Sequence, residues 1–236
     1  MSERPVQDPS IMGYMDGRPT AGGRTETDLP TNPPYPPPPW ELYGDAQVYL
    51  LLCRRDRLER VPAGFDPLNI AGFTPVLAGF INYTNGSVLR YAELYVAVVG
   101  RVAGRRRPAA TVTHMWVDSE ASRRGGRELW GYPKELARFE LAISPNGTAR
   151  AYDGRGELAT AKLGPTVPLP VRISTLGGTV QPLGGKLQPV RAQMSGRPVF
   201  GLGRFQPEEG GPLGFLAGAR LLLCAGLKDF HFRFGI

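Results

Sequence analysis

The sequence has little cysteine, little histidine and no long apolar run. Two cysteines, Cys53 and Cys224, are too few for a disulfide framework, and two histidines are too few for a histidine-rich metal site. No stretch of roughly 18 apolar residues occurs, so no membrane-spanning helix is expected. The opening segment MSERPVQDPS lacks the apolar core of a secretory signal. We therefore expect a cytoplasmic protein with no metal site and no membrane partner.

Lysine is also scarce, and arginine carries nearly all of the positive charge. The formal net charge is +7, which is compatible with a nucleic-acid partner. The charge is spread along the chain, however, and its tightest cluster, the arginines at 105–107, stands between Gly104 and Pro108. We interpret this cluster as a solvated loop between two strands. Nucleic-acid binding therefore ranks last among the functions considered, and no nucleic-acid partner is expected.

Short apolar segments separated by turns fill most of the chain. The 31 glycines and 24 prolines favour turns and short strands over long helices. Apolar runs and alternation predict strands at 46–53, 73–83, 88–100, 110–118, 137–144, 148–153, 157–163, 167–178, 186–194, 219–226 and 227–236. Helical or irregular pieces are expected at 55–61 and 119–129. The pattern predicts a mainly β fold, an antiparallel β-barrel that is closed or doubled over, with a few short helices.

The first 40 residues differ in composition from the rest. They hold few aliphatic residues and end in LPTNPPYPPPPW, where each proline fixes φ and removes a backbone donor. We predict a Pro-rich arm, extended or disordered, at 1–40 and one folded domain at 41–236.

One segment, VDSEASRRGGRELWGYPKELA at 117–137, carries a specific motif. An Asp-Ser-Glu group precedes a short spacer, Gly-Arg-Glu and then Tyr-Pro-Lys. The motif residues are Asp118, Ser119, Glu120, Gly126, Arg127, Glu128, Tyr132, Pro133 and Lys134. In these residues and their spacing the chain resembles the acetoacetate decarboxylase family. A weaker match is Glu93 in RYAELYVAV, a glutamate upstream of the motif as in the family.

The resemblance implies a β-barrel of the acetoacetate decarboxylase type, a homo-oligomer and imine chemistry. In that family the lysine of the Pro-Lys motif forms a Schiff base with a keto acid, so Lys134 would be the catalytic amine and Glu93 a general acid or base. The protonated imine is itself the electron sink, so no cofactor is implied. An ordinary lysine, with a pKa of about 10.4, is mostly protonated at neutral pH, and a dry apolar pocket favours the free amine. Met115, Trp130 and Tyr132 are the expected walls of this pocket.

Three charged residues of the motif are expected to shape the loop that carries the lysine. Arg127 stands in sequence between Glu120 and Glu128. An arginine between two carboxylates can form a bidentate pair that fixes such a loop. We therefore assign these three residues a structural rather than a catalytic role.

The sequence departs from the decarboxylases of the family at three places. Glu135 stands where they carry a second lysine directly after the imine-forming one. The segment 46–49 has no arginine where one that holds the substrate carboxylate is expected, and 78–80 has no acid where a second active-site glutamate would lie. An anion directed at Lys134 would stabilise the ammonium form and leave less free amine, whereas in an extended segment Glu135 would point away. We expect a weak grip on carboxylates and poor decarboxylation of acetoacetate.

These residues favour a Schiff-base enzyme of the lyase or aldol type that acts on a keto acid or a larger keto compound. One alternative is a cyclase or isomerase of a biosynthetic pathway that uses the same barrel pocket without an imine, with Glu93 as its acid-base group. Another alternative is a non-catalytic barrel that binds an apolar small molecule.

Overall fold

The computed structural model describes residues 34–143 and 147–236 of the protein. Twelve strands and one helix make up most of this part of the chain. They are β1 (Trp40–Arg54), β2 (Phe65–Pro67), β3 (Phe73–Tyr83), β4 (Tyr91–Val102), β5 (Ala109–Val117), α1 (Glu120–Trp130), β6 (Lys134–Leu136), β7 (Arg138–Ala142), β8 (Thr148–Asp153), β9 (Gly156–Pro168), β10 (Ile173–Leu183), β11 (Lys186–Pro207) and β12 (Arg220–Phe234). The mainly β prediction is confirmed, and β3 and β8 have the predicted bounds.

All twelve strands belong to one sheet. Its path runs β6-β5-β4-β3-β1-β12-β11-β9-β8-β7, with β10 added beside β11 and β2 beside β4. Every pairing is antiparallel except that of β5 with β6, which is parallel. Within the described residues the end strands β6 and β7 are not hydrogen-bonded to each other. The sheet is therefore not closed as a barrel, although Ala137 alone separates its two end strands along the chain.

Alternation along the strands produces two hydrophobic cores on opposite faces of the sheet. The first core contains Tyr49, Phe80, Leu94, Phe205 and Leu216. The second core lies under α1 and contains Trp40, Met115, Trp130, Tyr132 and Phe230. Met115 packs in the second core while its neighbour Trp116 packs in the first. The lysine-bearing face of the sheet is therefore the one that α1 covers.

The start of the described chain lies against α1. The phenol of Tyr35 donates to Glu128 Oε2 at 2.6 Å, and the Trp40 indole donates to the Pro36 carbonyl at 2.9 Å. Trp40 is 1% exposed and begins β1 one residue before the predicted domain boundary. Residues 1–33, which include most of the predicted arm, lie outside the described residues. The division of the chain into an arm at 1–40 and a domain at 41–236 stays a prediction.

The arginine cluster lies in an exposed loop between two strands, as the sequence indicated. The residues at 105–107 are exposed in the connection between β4 and β5. Among the described residues, α1 has 11 residues and no helix has the length and apolarity needed to cross a membrane.

Candidate active site

Lys134 is the first residue of β6, directly after the turn that ends α1. Gly131 stops the helix in the left-handed conformation, at a φ of 72°, where a side chain would be strained. Strand β6 then pairs with β5 so that Lys134 lies beside Met115. Because adjacent residues of a strand face opposite ways, Lys134 is buried at 4% exposure while Glu135 is exposed.

The Lys134 amine meets three polar side chains inside the second core. Its Nζ lies 3.0 Å from Glu93 Oε2 and 2.9 Å from Ser122 Oγ. The Tyr91 hydroxyl is 3.5 Å away, and the Tyr91 ring centroid lies 4.9 Å from the amine. The side chains of Lys134 and Glu93 are each 5% exposed. The two predicted catalytic residues therefore form a buried pair.

Two phenols complete the surroundings of Glu93. Tyr83 donates to Glu93 Oε1 at 3.3 Å, and the Tyr83 and Tyr91 rings are in contact with centroids 4.4 Å apart. Burial, and after it the Glu93 carboxylate, raises the pKa of both phenols well above that of a free tyrosine. Both therefore stay protonated at neutral pH and can donate hydrogen bonds to a carboxylate or to a substrate oxygen.

Helix α1 carries the serine and makes room for the lysine. The Ser119 hydroxyl caps the helix by accepting a hydrogen bond from the Ser122 backbone N–H at 3.2 Å. Ser122 and Gly126 are four residues apart and so share one helix face. A Cβ at Gly126 would lie 2.6 Å from Lys134 Cδ, and one at Gly125 would lie 2.7 Å from the Trp40 ring. The two glycines inside this helix therefore let α1 approach the lysine and the tryptophan closely.

The substitution Gly126→Ala is expected to impair the site while leaving the fold intact. The new methyl group must displace the flexible stem of Lys134, whereas alanine is the better helix former. A displacement of about 1 Å at a reacting group can lower a rate about a hundredfold, so imine trapping should slow by about that factor. The measurement is the rate of borohydride-trapped adduct formation beside the melting temperature.

Gly125→Ala is the matched control, because its methyl group meets the Trp40 ring instead of the lysine. This variant should lower the melting temperature more than Gly126→Ala does. A Gly126→Ala protein with an unchanged trapping rate would contradict the close approach of α1 to Lys134.

The predicted pocket walls all lie in the second core. Met115, Trp130 and Tyr132 are 7%, 8% and 4% exposed. Trp130 packs edge-on against Trp40 with centroids 4.7 Å apart, and the Trp40 ring centroid lies 6.0 Å from the Lys134 amine. Tyr132 is hydrogen-bonded to the Thr179 hydroxyl at 2.6 Å. Aromatic groups thus enclose the amine on the side that faces α1 and the start of β1.

The three predicted loop residues have partners other than those expected. Arg127 donates to the Lys134 carbonyl oxygen at 2.6 Å and forms an ion pair with Glu135. Glu120 instead forms a bidentate pair with Arg123, and Glu128 lies 3.5 Å from Arg124. Arg127 therefore holds the backbone of the lysine strand directly, and its partner Glu135 is directed away from the amine.

Sequence reasoning missed Ser122, Tyr91, Tyr83 and Trp40 as members of the site. Helical spacing was the available signal for Ser122, because it stands four residues before Gly126 in the motif. Strand alternation was the signal for Tyr91, which lies two residues from Glu93 on the same face of β4. Tyr83 is the residue that β3 places directly opposite Tyr91, a register that the sequence does not reveal.

The absence of an acidic residue at 78–80 has a steric explanation at Gly79. In the register of β3 and β4, Gly79 lies opposite Tyr95, and a Cβ at Gly79 would be 2.6 Å from the Tyr95 ring. The tyrosine ring therefore occupies the space that a side chain at Gly79 would need. On β1 the residue opposite Gly79 is Val48, so this face carries apolar groups where the family resemblance implies carboxylate-binding residues in the decarboxylases.

A family model, Acetoacetate decarboxylase (ADC), matches residues 53–180, more than half of the 236 residues. The chain belongs to the acetoacetate decarboxylase family. The family resemblance seen in the motif is thereby confirmed. Lys134, Glu93 and Ser122 all lie inside the matched segment.

Individual members of the family are distant from this chain. Acetoacetate decarboxylase 1 of Bradyrhizobium diazoefficiens is 33% identical over 131 residues, which are 51% of this chain and 47% of that protein. The chain thus spans about half the length of the curated relatives it matches.

Solved structures superpose on a larger part of this chain than the curated sequences match. An acetoacetate decarboxylase structure superposes with a TM-score of 0.65 at 17% identity, covering 86% of this chain and 89% of that one. The enduracididine biosynthesis enzyme MppR, complexed with the condensation product of pyruvate and imidazole 4-carboxaldehyde, gives a TM-score of 0.58 at 15% identity, covering 92% and 96%. These likenesses establish the acetoacetate decarboxylase fold.

Proposed function

We propose that the protein is a Schiff-base enzyme in which Lys134 forms an imine with the carbonyl group of a keto compound. The observation that carries the proposal is the buried Lys134 amine at 3.0 Å from Glu93 and 2.9 Å from Ser122. A buried lysine can form an imine when the carboxylate beside it can act as a general acid and base. No cofactor is needed, because the protonated imine accepts the electron pair that the reaction releases.

Imine formation needs the proton movements that the neighbours of the amine can provide. Glu93 takes the proton of the Lys134 ammonium, and the free amine attacks the carbonyl carbon while the C=O electron pair moves to oxygen. A proton passes from nitrogen to that oxygen, a transfer for which the Ser122 hydroxyl is within reach. Glu93 then returns its proton to the carbinolamine hydroxyl, the C–O bond breaks, and water leaves the iminium ion.

The next step uses the same carboxylate. Glu93, again ionised, can accept the proton from the carbon next to the iminium ion, which gives an enamine. The enamine can attack a second carbonyl carbon, or the reverse reaction can break a C–C bond with its electron pair moving into the iminium ion. The proposed reaction is therefore of the lyase or aldol type, on a keto acid or a larger keto compound. MppR shares the fold, and its structure holds the condensation product of pyruvate and imidazole 4-carboxaldehyde, which supports this reaction type.

The test combines trapping with turnover. Incubation with a small diketone and sodium cyanoborohydride should give a single adduct, which peptide mass mapping assigns to Lys134. Release of carbon dioxide from acetoacetate should be far slower than the roughly 1 to 1,000 turnovers per second of typical enzymes. Turnover in that range would contradict the expected weak hold on carboxylates.

The same assay separates the alternatives. A cyclase or isomerase that uses Glu93 without an imine would turn over its substrate with no adduct. A non-catalytic binding protein of this fold would bind an apolar ligand with neither adduct nor turnover.

We also propose that the protein is a homo-oligomer. Val167, Phe200, Leu202 and Leu223 are between 38% and 86% exposed. Val167 lies opposite Phe200 across β9 and β11, Leu202 follows on the same face, and Leu223 belongs to the neighbouring strand β12. Four large apolar side chains on three adjacent strands form the kind of surface that a second copy of the chain would cover.

Light scattering after size exclusion tests this assembly. The mass should be a multiple of 25.6 kDa, and Leu202→Glu should lower it. The matched control is Ile70→Glu, because Ile70 is 54% exposed but lies outside that surface. A monomeric wild-type protein would overturn the assembly and leave the imine proposal untouched.

A further inference from the structure

The charges buried at the site balance each other without a substrate. Among the described residues, the only carboxylate and the only ammonium or guanidinium that are buried belong to Glu93 and Lys134. The nearby arginines are engaged elsewhere: Arg127 holds the Lys134 carbonyl and Glu135, and Arg123 holds Glu120. The site as described therefore holds one positive and one negative charge.

A substrate carboxylate would disturb this balance. With Lys134 as an iminium ion and Glu93 ionised, a bound carboxylate would add a second buried anion without a charged partner among the described residues, which is costly. The balance would be restored if Glu93 kept its proton, but it would then be unable to accept a proton from the substrate carbon. An uncharged carbonyl compound avoids both penalties, because the iminium ion and the Glu93 carboxylate compensate each other, and both become neutral when Glu93 accepts the proton and the enamine forms.

The surface beside Glu93 is also apolar. Ile81 lies directly opposite Glu93 across β3 and β4, and Tyr95 follows two residues along the same face. Gly79 lies opposite Tyr95, and Val48 lies beyond Gly79 on β1. Ile81 and Tyr95 are half-buried and pack against the second core, and Val48 is also half-buried. None of these side chains can neutralise a carboxylate, whereas all of them can pack against an apolar group.

From this charge balance and this surface, we propose that the substrate is an uncharged ketone or aldehyde with an apolar body, not a keto acid. Its carbonyl carbon reacts with Lys134 while its apolar body lies over Ile81 and Tyr95. The inference rests on the proposed imine function and narrows its substrate class.

A matched pair of probes tests the substrate class directly. Ethyl acetoacetate and acetoacetate share the same ketone and differ in whether the second group is a neutral ester or a carboxylate. The rate of adduct formation on Lys134 is measured for each probe with cyanoborohydride. The ratio of the ester rate to the acetoacetate rate is then divided by the same ratio for a simple primary amine in solution. We expect the corrected ratio to favour the ester at least tenfold.

Substitutions that introduce a positive charge provide the second part of the test. Ile81→Arg and Val48→Arg each place a guanidinium on the face beside Glu93, and each should shift the ratio toward acetoacetate by about tenfold. Ile70→Arg is the control, because it adds the same charge at an exposed position outside this face and should keep the ester preference. Two positions are used so that the result does not depend on the folding of one variant.

Two outcomes would overturn the inference alone, and a third would overturn the imine function as well. Trapping of acetoacetate at an equal or higher corrected rate in the wild-type protein would overturn the inference and leave the imine function standing. An ester preference that both arginine variants leave unchanged would also overturn it, because charge would not be its cause. Absence of any Lys134 adduct with either probe in the folded protein would overturn the imine function and, with it, the inference.

Discussion

Lys134→Met is expected to abolish borohydride-trapped adduct formation while the protein remains folded. Methionine has an unbranched side chain of similar length but no amine, so it fills the space beside Gly126 and cannot form an imine. The Glu93 carboxyl left behind can take a proton, which limits the cost of losing its partner. The measurement is the adduct mass on the 117–137 segment, beside the melting temperature and any turnover of a neutral ketone.

The small number of lysines makes the control simple. Lys134, Lys162, Lys186 and Lys228 are the lysines of the chain. Lys162 is exposed on β9, so Lys162→Met should trap the same amount of ketone as the wild-type protein. Lys134→Arg adds a third arm, since it keeps a positive charge near Glu93 but cannot form the imine. Full turnover by Lys134→Met would exclude the imine mechanism and favour the cyclase or isomerase, with Glu93 as its acid-base group.

Local patterns predicted most of the strands but not their full extent. Segment 73–83 alternates well enough that its predicted bounds equal those of β3. Strand β11 instead continues from the predicted 186–194 to Pro207, through a stretch with Gly196, Gly201 and Gly203. Glycines in a sequence indicate turns, but here a Cβ at Gly203 would meet the Lys162 carbonyl of the neighbouring strand. These glycines serve close packing between strands, which local sequence does not distinguish from a turn.

The motif and the strand alternation predicted part of the candidate site. The motif located Lys134, whereas the direction of Glu135 was left open, because the period of two turns it away from the amine only in an extended segment. The actual partners of Arg127 could not be predicted, because they depend on how α1 folds back over β6. The contact of Trp40 with the site depends on long-range packing of β1 against α1, which no local pattern contains.

Glu93→Gln is expected to have the largest effect on stability of any single substitution at the site. Removing one member of a buried ion pair leaves the other charge without compensation, which typically lowers the free energy of unfolding by about 3–5 kcal/mol. Lys134 would retain only the neutral oxygens of Ser122 and Tyr91 as partners. Trapping should slow as well, by about a hundredfold or more, because the group that moves the proton is gone.

The double variant Glu93→Gln with Lys134→Met distinguishes a buried pair from two independent residues. With both charges removed, no buried ion remains, and the double variant should regain most of the stability that Glu93→Gln loses. Urea unfolding at pH 7 of the wild-type protein, both single variants and the double variant gives the coupling free energy. Glu120→Gln is the surface control: the Glu120 side chain is 51% exposed, so the midpoint should scarcely move. Single effects that simply add would contradict the ion pair, and with it the proton transfer from Lys134 to Glu93 on which imine formation depends.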